Sequence, residues 1–342
     1  AAVIARVTNT NRLVMNWRGK TIVDIERSFL DTAGATRSTK AIITSPNKED
    51  SPLCKPLDSV ATSLSAENSL EKAWKANLTD LAVCSQRGLS ERFDGSIGSS
   101  TVLFPMGGTY QNTPESGCAA KIPVLFPRET TTASLMTFGY DPRVAQWSPW
   151  HGAQNAVIQS LSKVLAMGGD PETCRLTFQE YFERTTSSEA WGKPVAALLG
   201  ALSAQKKMGT ASIGGKDSMS GSYQDLKVPP TLVSFAVTTT DAQRIVSGDM
   251  KKAGSNVYAI VTPILASLAP DFDSFITNSK ALQKAFDNNE ILSAYAVGAG
   301  GLSEALTKMC FGNMIGLDID NTVTDKISAI CTEQKKASKD FN

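Results

Sequence analysis

The feature that most constrains the fold lies between residues 135 and 240, where two kinds of apolar pattern alternate. "LMTFGYDP" (135–142), "CRLTFQEYF" (174–182) and "TLVSFAVTTT" (231–240) are short runs of β-branched, aromatic and other apolar residues, so they read as strands. Helical spacing takes over between them. Val157, Leu161, Val164 and Leu165 form a stripe within 152–167, and Gly168-Gly169 stop that helix. A second helix runs from Pro194 to Met208, with proline near its first turn and Gly209 as its stop, and "TASI" (210–213) follows as a strand. Strands that alternate with helices bury their apolar faces in layers. The pattern therefore predicts an α/β class of α+β type with mixed sheets, in a domain from about 70 to 245.

The flanks are less regular. Residues 3–7, 12–17 and 20–25 are β-rich, and "NWRGKTIVDI" reads as a hairpin turning at Gly19. "SFLDTAGATRSTKAII" closes this opening piece, which is too small to hold its own core and must pack on something else. Residues 45–69 are polar with three prolines, a linker signature. A helix starts near Ser69, with Leu70, Trp74, Leu78 and Leu81 at helical spacing, and 98–107 and 119–126 read as strands. After "KKAGSN" a second unit predicts strand "VYAIVTP", a helix near 273–286, strand "ILSAYAV", the turn "GAGG", helix "LSEALTKMCF" and strand "IGLDI". The tail "CTEQKKASKDFN" is polar, and no fixed-period repeat occurs.

Composition removes several function classes. Thirty-four basic against 33 acidic residues give a formal charge of +1, which predicts neither a nucleic-acid nor a membrane partner. No apolar run reaches the length of a bilayer span, and the first residues lack the apolar stretch of a secretory signal, so a cytoplasmic location is expected. Six cysteines at wide, irregular spacing, with no CxxC, argue for reduced thiols rather than zinc or disulfides. His151 is the single histidine, which rules out histidine-rich metal sites, and no GxSxG nucleophile motif appears.

Four stretches carry candidate chemistry. In "TASIGGKDSMSG", Gly214 and Gly215 let a backbone approach phosphate, Lys216 adds a positive charge, Asp217 could hold a magnesium, and Ser218 is a further candidate for binding nucleotide phosphate. The plain alternative is a tight turn with a solvated charge pair. The spacing is not that of a Walker loop. It resembles the SGGxDS loop of ATP pyrophosphatases, but Ile213 stands where that motif has serine, and the loop follows some 140 residues of α/β structure instead of a first strand. The second stretch is Gly298-Ala299-Gly300-Gly301, where Gly300 and Gly301 open a helix whose free amides attract phosphate; an ordinary strand–helix turn is the alternative. The third is "SERFDGSIGSSTV", with Arg92 as an anion clamp and Asp94 as a cation ligand, or else a structural bend. The fourth is Gln159 and Lys163, four apart on one helix face away from the apolar stripe, which otherwise reads as a solvated face.

Taken in order, "NWRGKTIVDIERSFLDTAGA", "SQRGLSERFDGSIGSSTVL", "QWSPWHGAQ", "FQEYFER", "IGGKDSMSG", "VPPTLVSFAVTT" and "VGAGGLSEALTKMCFGN" resemble phosphoribosylformylglycinamidine synthase over nearly the whole chain. The resemblance is to the large, single-chain, clostridial-looking form. It implies an aminoimidazole-ribonucleotide-synthetase-like two-domain synthetase half. In that reading residues 1–45 end the preceding half, 46–70 link, 71–245 form the first domain of the second half, and 246–342 form part of its second domain. It also implies an ATP-dependent ligase of purine biosynthesis, which amidates formylglycinamide ribonucleotide with ammonia from glutamine. The partners implied are the rest of the same chain, namely the first synthetase half and a glutaminase domain. The chain alone is then expected to be inactive, with no catalytic residue of its own, and to homodimerise through an exposed sheet.

In some members the second half holds a Mg-nucleotide through an acidic residue and an asparagine four apart on a helix, plus an aspartate in an SDGG turn. Those positions carry Gln159, Lys163 and Ala299 here, so the magnesium site looks dismantled, with Glu129 and Asp217 as weak substitute ligands. Whether ATP or ADP is bound is left open by the sequence. Two other readings compete: a non-catalytic structural or dimerisation module without nucleotide, and a free-standing ATP-using synthetase of the same superfamily.

Overall fold

A computed structural model describes residues 1–67, 69–93, 95 and 100–319. Asp94 and the tail 324–342 lie outside the described residues. Two compact units are present, Ala1–Ala41 and Ile42–Asn342.

In the first unit, β1 (Arg12–Trp17) and β2 (Lys20–Glu26) pair antiparallel, with Trp17 opposite Lys20. Arg18 and Gly19 both take positive φ, the conformation a two-residue hairpin turn requires, so the predicted turn forms at Gly19. A short helix, α1 (Arg27–Thr32), follows. Residues 3–7 are not a strand, because no neighbouring strand pairs with them.

The second unit opens with helices α2 (Asp58–Glu67), α3 (Leu70–Thr79) and α4 (Arg87–Ser90). The segment read as a linker thus contains α2, whose SxxxS-rich sequence gave little apolar signal. Ser69 caps α3 by accepting from the Lys72 amide, as the sequence predicts. Then come β3 (Thr101–Leu103), β4 (Met106–Gly107), β5 (Thr113–Pro114), β6 (Cys118–Lys121), β7 (Thr132–Gly139), α5 (Pro142–Trp147) and α6 (Pro149–Ala166). Strands β8 (Arg175–Tyr181) and β9 (Ser212–Ser218) flank α7 (Ser188–Met208), and β10 (Ser222–Tyr223), β11 (Leu226–Lys227) and β12 (Thr231–Asp241) follow. The helices α8 (Phe272–Asp287) and α9 (Gly301–Phe311) complete the described elements.

The main sheet runs β3-β6-β7-β12-β8-β9. Only β8 and β9 are parallel, and α7 is the crossover that a parallel pair needs. The sheet is therefore mixed, and the class is α/β as predicted. On one face, Leu135, Leu176 and Ala236 meet Val157, Leu161 and Val164 of α6. Each fully buried Leu or Val there contributes about 1.5–3 kcal/mol. Small residues bring α7 close: Ala197, Ala201 and Ala204 are buried, and a Cβ on Gly200 would run into the Trp150 backbone of α6.

Several sequence expectations are corrected. Helix α7 starts at Ser188, because Ser187 caps it, so Pro194 lies inside the helix and not in its first turn. The run 119–126 stops pairing at Lys121, and 98–107 is divided between β3 and β4. "VYAIVTP", "ILSAYAV" and "IGLDI" form no strands, since none pairs with a neighbouring strand among the described residues. Val257, Tyr258 and Ile260 are consequently exposed. The loop expected at Gly214–Ser218 is instead the body of β9.

Candidate functional site

The fourth candidate stretch lies within electrostatic reach of the helix that the second one opens. Lys163 leaves α6 beside the edge of β7. Pairing with β6 stops at Met136, so that edge is open further along, and the Lys163 ammonium stands 3.9 Å from the centroid of the Phe138 ring. Burial pushes the Lys163 pKa down to about 8, Glu304 pulls it up, and Lys308 pushes it down. The face shared by Gln159 and Lys163 is thus half-buried and packed, not solvated. Gln159 accepts the Tyr140 amide at 3.0 Å and so ties the end of β7 to α6.

Glu304 belongs to the first turn of α9. Its Oε2 accepts the Gly300 amide at 2.7 Å, and its Oε1 takes Lys308 Nζ at 2.5 Å. Asn77 of α3 holds the same turn, donating to the Gly300 carbonyl at 2.8 Å and to Ser303 Oγ at 2.7 Å. The glycines are needed for this fit: Gly301 has a φ of +67°, and a Cβ on Gly300 would press on Glu304 and Val83. The Gly300–Gly301 turn does open a helix. However, its inward amide is already satisfied by a carboxylate of the same helix.

A magnesium-bound phosphate fits these residues poorly. Gln159, Lys163 and Ala299 supply no carboxylate, and Glu304 is engaged by an amide and a lysine. Among the described residues no group of three or more His, Cys, Asp or Glu side chains converges to hold a metal. Glu129 is exposed and apart from the site.

The Gly214–Ser218 stretch is not part of this site. Strand β9 lies three strand spacings from β7, about 14 Å away. Gly215 is explained by pairing, since a Cβ there would stand 2.5 Å from the Phe178 carbonyl oxygen. Lys216 and Asp217 are exposed on the free edge, and Ser218 Oγ lies 3.1 Å from Ser220 Oγ. Asp217 does face one buried group: it is in register with Glu180, whose carboxyl is raised to about 7, chiefly by burial and then by Asp217. Arg92 is exposed in the turn after α4.

Sequence reasoning passed over Glu304, the centre of the site. Its signal was the Glu304–Lys308 spacing of four, which usually marks a solvated helix pair. His151 is buried between Ser148 Oγ (2.7 Å) and the Ser267 carbonyl (2.9 Å), which makes it a structural residue with a lowered pKa from burial. No helix among the described residues is long and apolar enough to cross a membrane.

No protein-family model matches the chain. It is 26% identical over 335 residues to phosphoribosylformylglycinamidine synthase subunit PurL of Pyrobaculum aerophilum, covering 93% of this chain and 44% of that protein. To the same subunit of Thermoplasma acidophilum it is 24% identical over 337 residues, covering 93% and 42%. The chain thus spans less than half the length of the curated relatives it matches. Among solved structures, Thermotoga maritima PurL complexed with FGAR aligns at 14% identity and a TM-score of 0.46, over 81% of this chain and 37% of that one.

Proposed function

We propose that this chain supplies a synthetase half of a phosphoribosylformylglycinamidine synthase, the ATP-dependent ligase that amidates formylglycinamide ribonucleotide in purine biosynthesis. Its similarity to PurL subunits over 93% of its length supports this reading. In the proposed division, residues 1–45 end one half, 46–70 link, and 71–245 with 246–342 make the two domains of the next, which are aminoimidazole-ribonucleotide-synthetase-like. The rest of such an enzyme, including the other half and a glutaminase, provides the partners. ATP and ammonia chemistry belong to that assembly.

Within it, this half is a non-catalytic, nucleotide-free support. The observation that carries this is Glu304: its carboxylate holds the Gly300 amide that a phosphate would use. Lys308, which would otherwise greet phosphate charge, is paired with the same carboxylate, and Lys163 feels its charge. The half has replaced a bound anion with one of its own. A free-standing synthetase is the weaker reading, because it would need this position for nucleotide.

Melting of the 342-residue chain with millimolar ATP or ADP, with and without magnesium, tests the proposal. No shift beyond the magnesium control is expected in the native chain. Glu304→Ala frees the amide and Lys308, and should gain stabilisation by inorganic phosphate. A magnesium-dependent rise in the native chain with one nucleotide bound would overturn the nucleotide-free reading.

A further inference from the structure

Glu115 and Asp249 form a pair outside the site described above. Glu115 follows β5, and Asp249 lies between β12 and α8. Asp249 is 3% exposed. Its Oδ2 accepts from Asn313 Nδ2 at 2.5 Å and lies 3.8 Å from Lys251 Nζ, while its buried Oδ1 has no partner. Glu115 repeats the arrangement. Its Oε2 accepts the Gly248 amide at 3.0 Å, and its buried Oε1 has no partner.

The two orphan oxygens turn to the same spot. A Cβ on Gly107 would collide with Glu115 Oε1 and stand 3.2 Å from Asp249 Oδ1. The oxygens therefore lie within about 5 Å of each other, the span of two cation–oxygen bonds of about 2.0–2.6 Å. Only glycine at 107 leaves the spot clear. An open hollow of about 670 Å³, lined by Thr109, Tyr110, Ser247, Asp249, Lys251 and Asn313 among others, borders Asp249. Burial and Asp249 push the Glu115 carboxyl up to about 7, and nearby Lys251 offsets only one of the two negative charges.

We propose that Glu115 Oε1 and Asp249 Oδ1, above Gly107, bind one small oxygen-seeking divalent cation, magnesium or calcium, with water from the hollow completing its shell. The cation ties the β4–β5 hairpin to the segment after β12. Lys251 remains on the far oxygen of Asp249.

The test uses the 342-residue chain stripped with EDTA and titrated separately with MgCl2 and CaCl2, followed by calorimetry and by melting temperature. One saturable site and a raised melting temperature are expected for at least one cation. Binding should weaken at least tenfold in Glu115→Gln, in Asp249→Asn and in Gly107→Ala, the last keeping both carboxylates but crowding the spot. Circular dichroism identifies which variants fold. Absence of saturable binding by the native chain overturns the proposal whatever the variants do. Equal binding by folded Glu115→Gln and Gly107→Ala also overturns it, by putting the cation elsewhere. So does a melting temperature that follows pH but ignores both cations, which assigns the pair to a proton.

Discussion

A lysine ammonium 3.9 Å from the Phe138 centroid, with most of its water removed, gives up its proton more readily than it would in water. The ring face and Glu304 offset part of the desolvation, but the Lys163 pKa still falls to about 8. Folding therefore favours loss of its proton. Below pH 8 both folded and unfolded chains carry the charge, and the full penalty is present. Between about pH 8 and 10.5 the unfolded chain binds more protons, so the penalty is relieved as pH rises. Lys163→Met keeps the stem against Phe138 and removes the charge. It is expected to be more stable than the native chain by about 1–2 kcal/mol at pH 7, with the gap closing above pH 10. Urea unfolding of both chains at pH 7 and pH 10 checks this. An equally stable variant at both values would mean that the ammonium is solvated.

Strand β9 shows why glycine and charge need not mean ligand. It is the parallel edge of the sheet, where an exposed lysine discourages pairing with other chains, and Lys216 is placed for that role. Gly215 sits against the Phe178 carbonyl oxygen, whereas Gly214 has open space where a Cβ would go. Gly215→Ala is expected to cost about 1–3 kcal/mol by forcing β9 off β8, and Gly214→Ala to stay within about 0.5 kcal/mol. Thermal melts of the two variants separate this from a phosphate-loop role, in which both glycines would matter to ligand and neither to the fold. The contrast marks what was readable in the sequence. Helices α6, α8 and α9 and strands β7, β8 and β12 were legible because each carries a long period of its own. The strands expected at 257–263 and 291–297 were not, because a strand is completed by its neighbour, and local composition does not say whether one exists. At the site, the "GAGG" turn was legible from its glycines. Glu304 was not, since its role depends on a turn folding back over its own carboxylate.

At the scale of the Ile42–Asn342 unit, the sheet is covered on one face only. Leu135, Leu176 and Ala236 are buried by α6, while Met136 and Phe138 on the other face are about half exposed. Across the strands, Phe138 pairs with Phe235, and Met136 with Val237, so the open face is a contiguous apolar surface and not a set of isolated side chains. A sheet presenting a similar apolar face is an occupant that fits it. When the 342-residue chain is alone, a second copy is the nearest substitute, and sedimentation velocity should show its weight-average coefficient rising with concentration. A two-fold pairing buries the same residue on both copies, so Phe235→Lys removes two phenylalanines per dimer. At about 1.5–3 kcal/mol each, the dissociation constant should rise at least a hundredfold. Because the contact is apolar, sulfate should strengthen the native association, whereas pairing through surface charge would weaken with salt. A native chain that stays monomeric at high concentration, with or without sulfate, would mean that this face is tolerated by water.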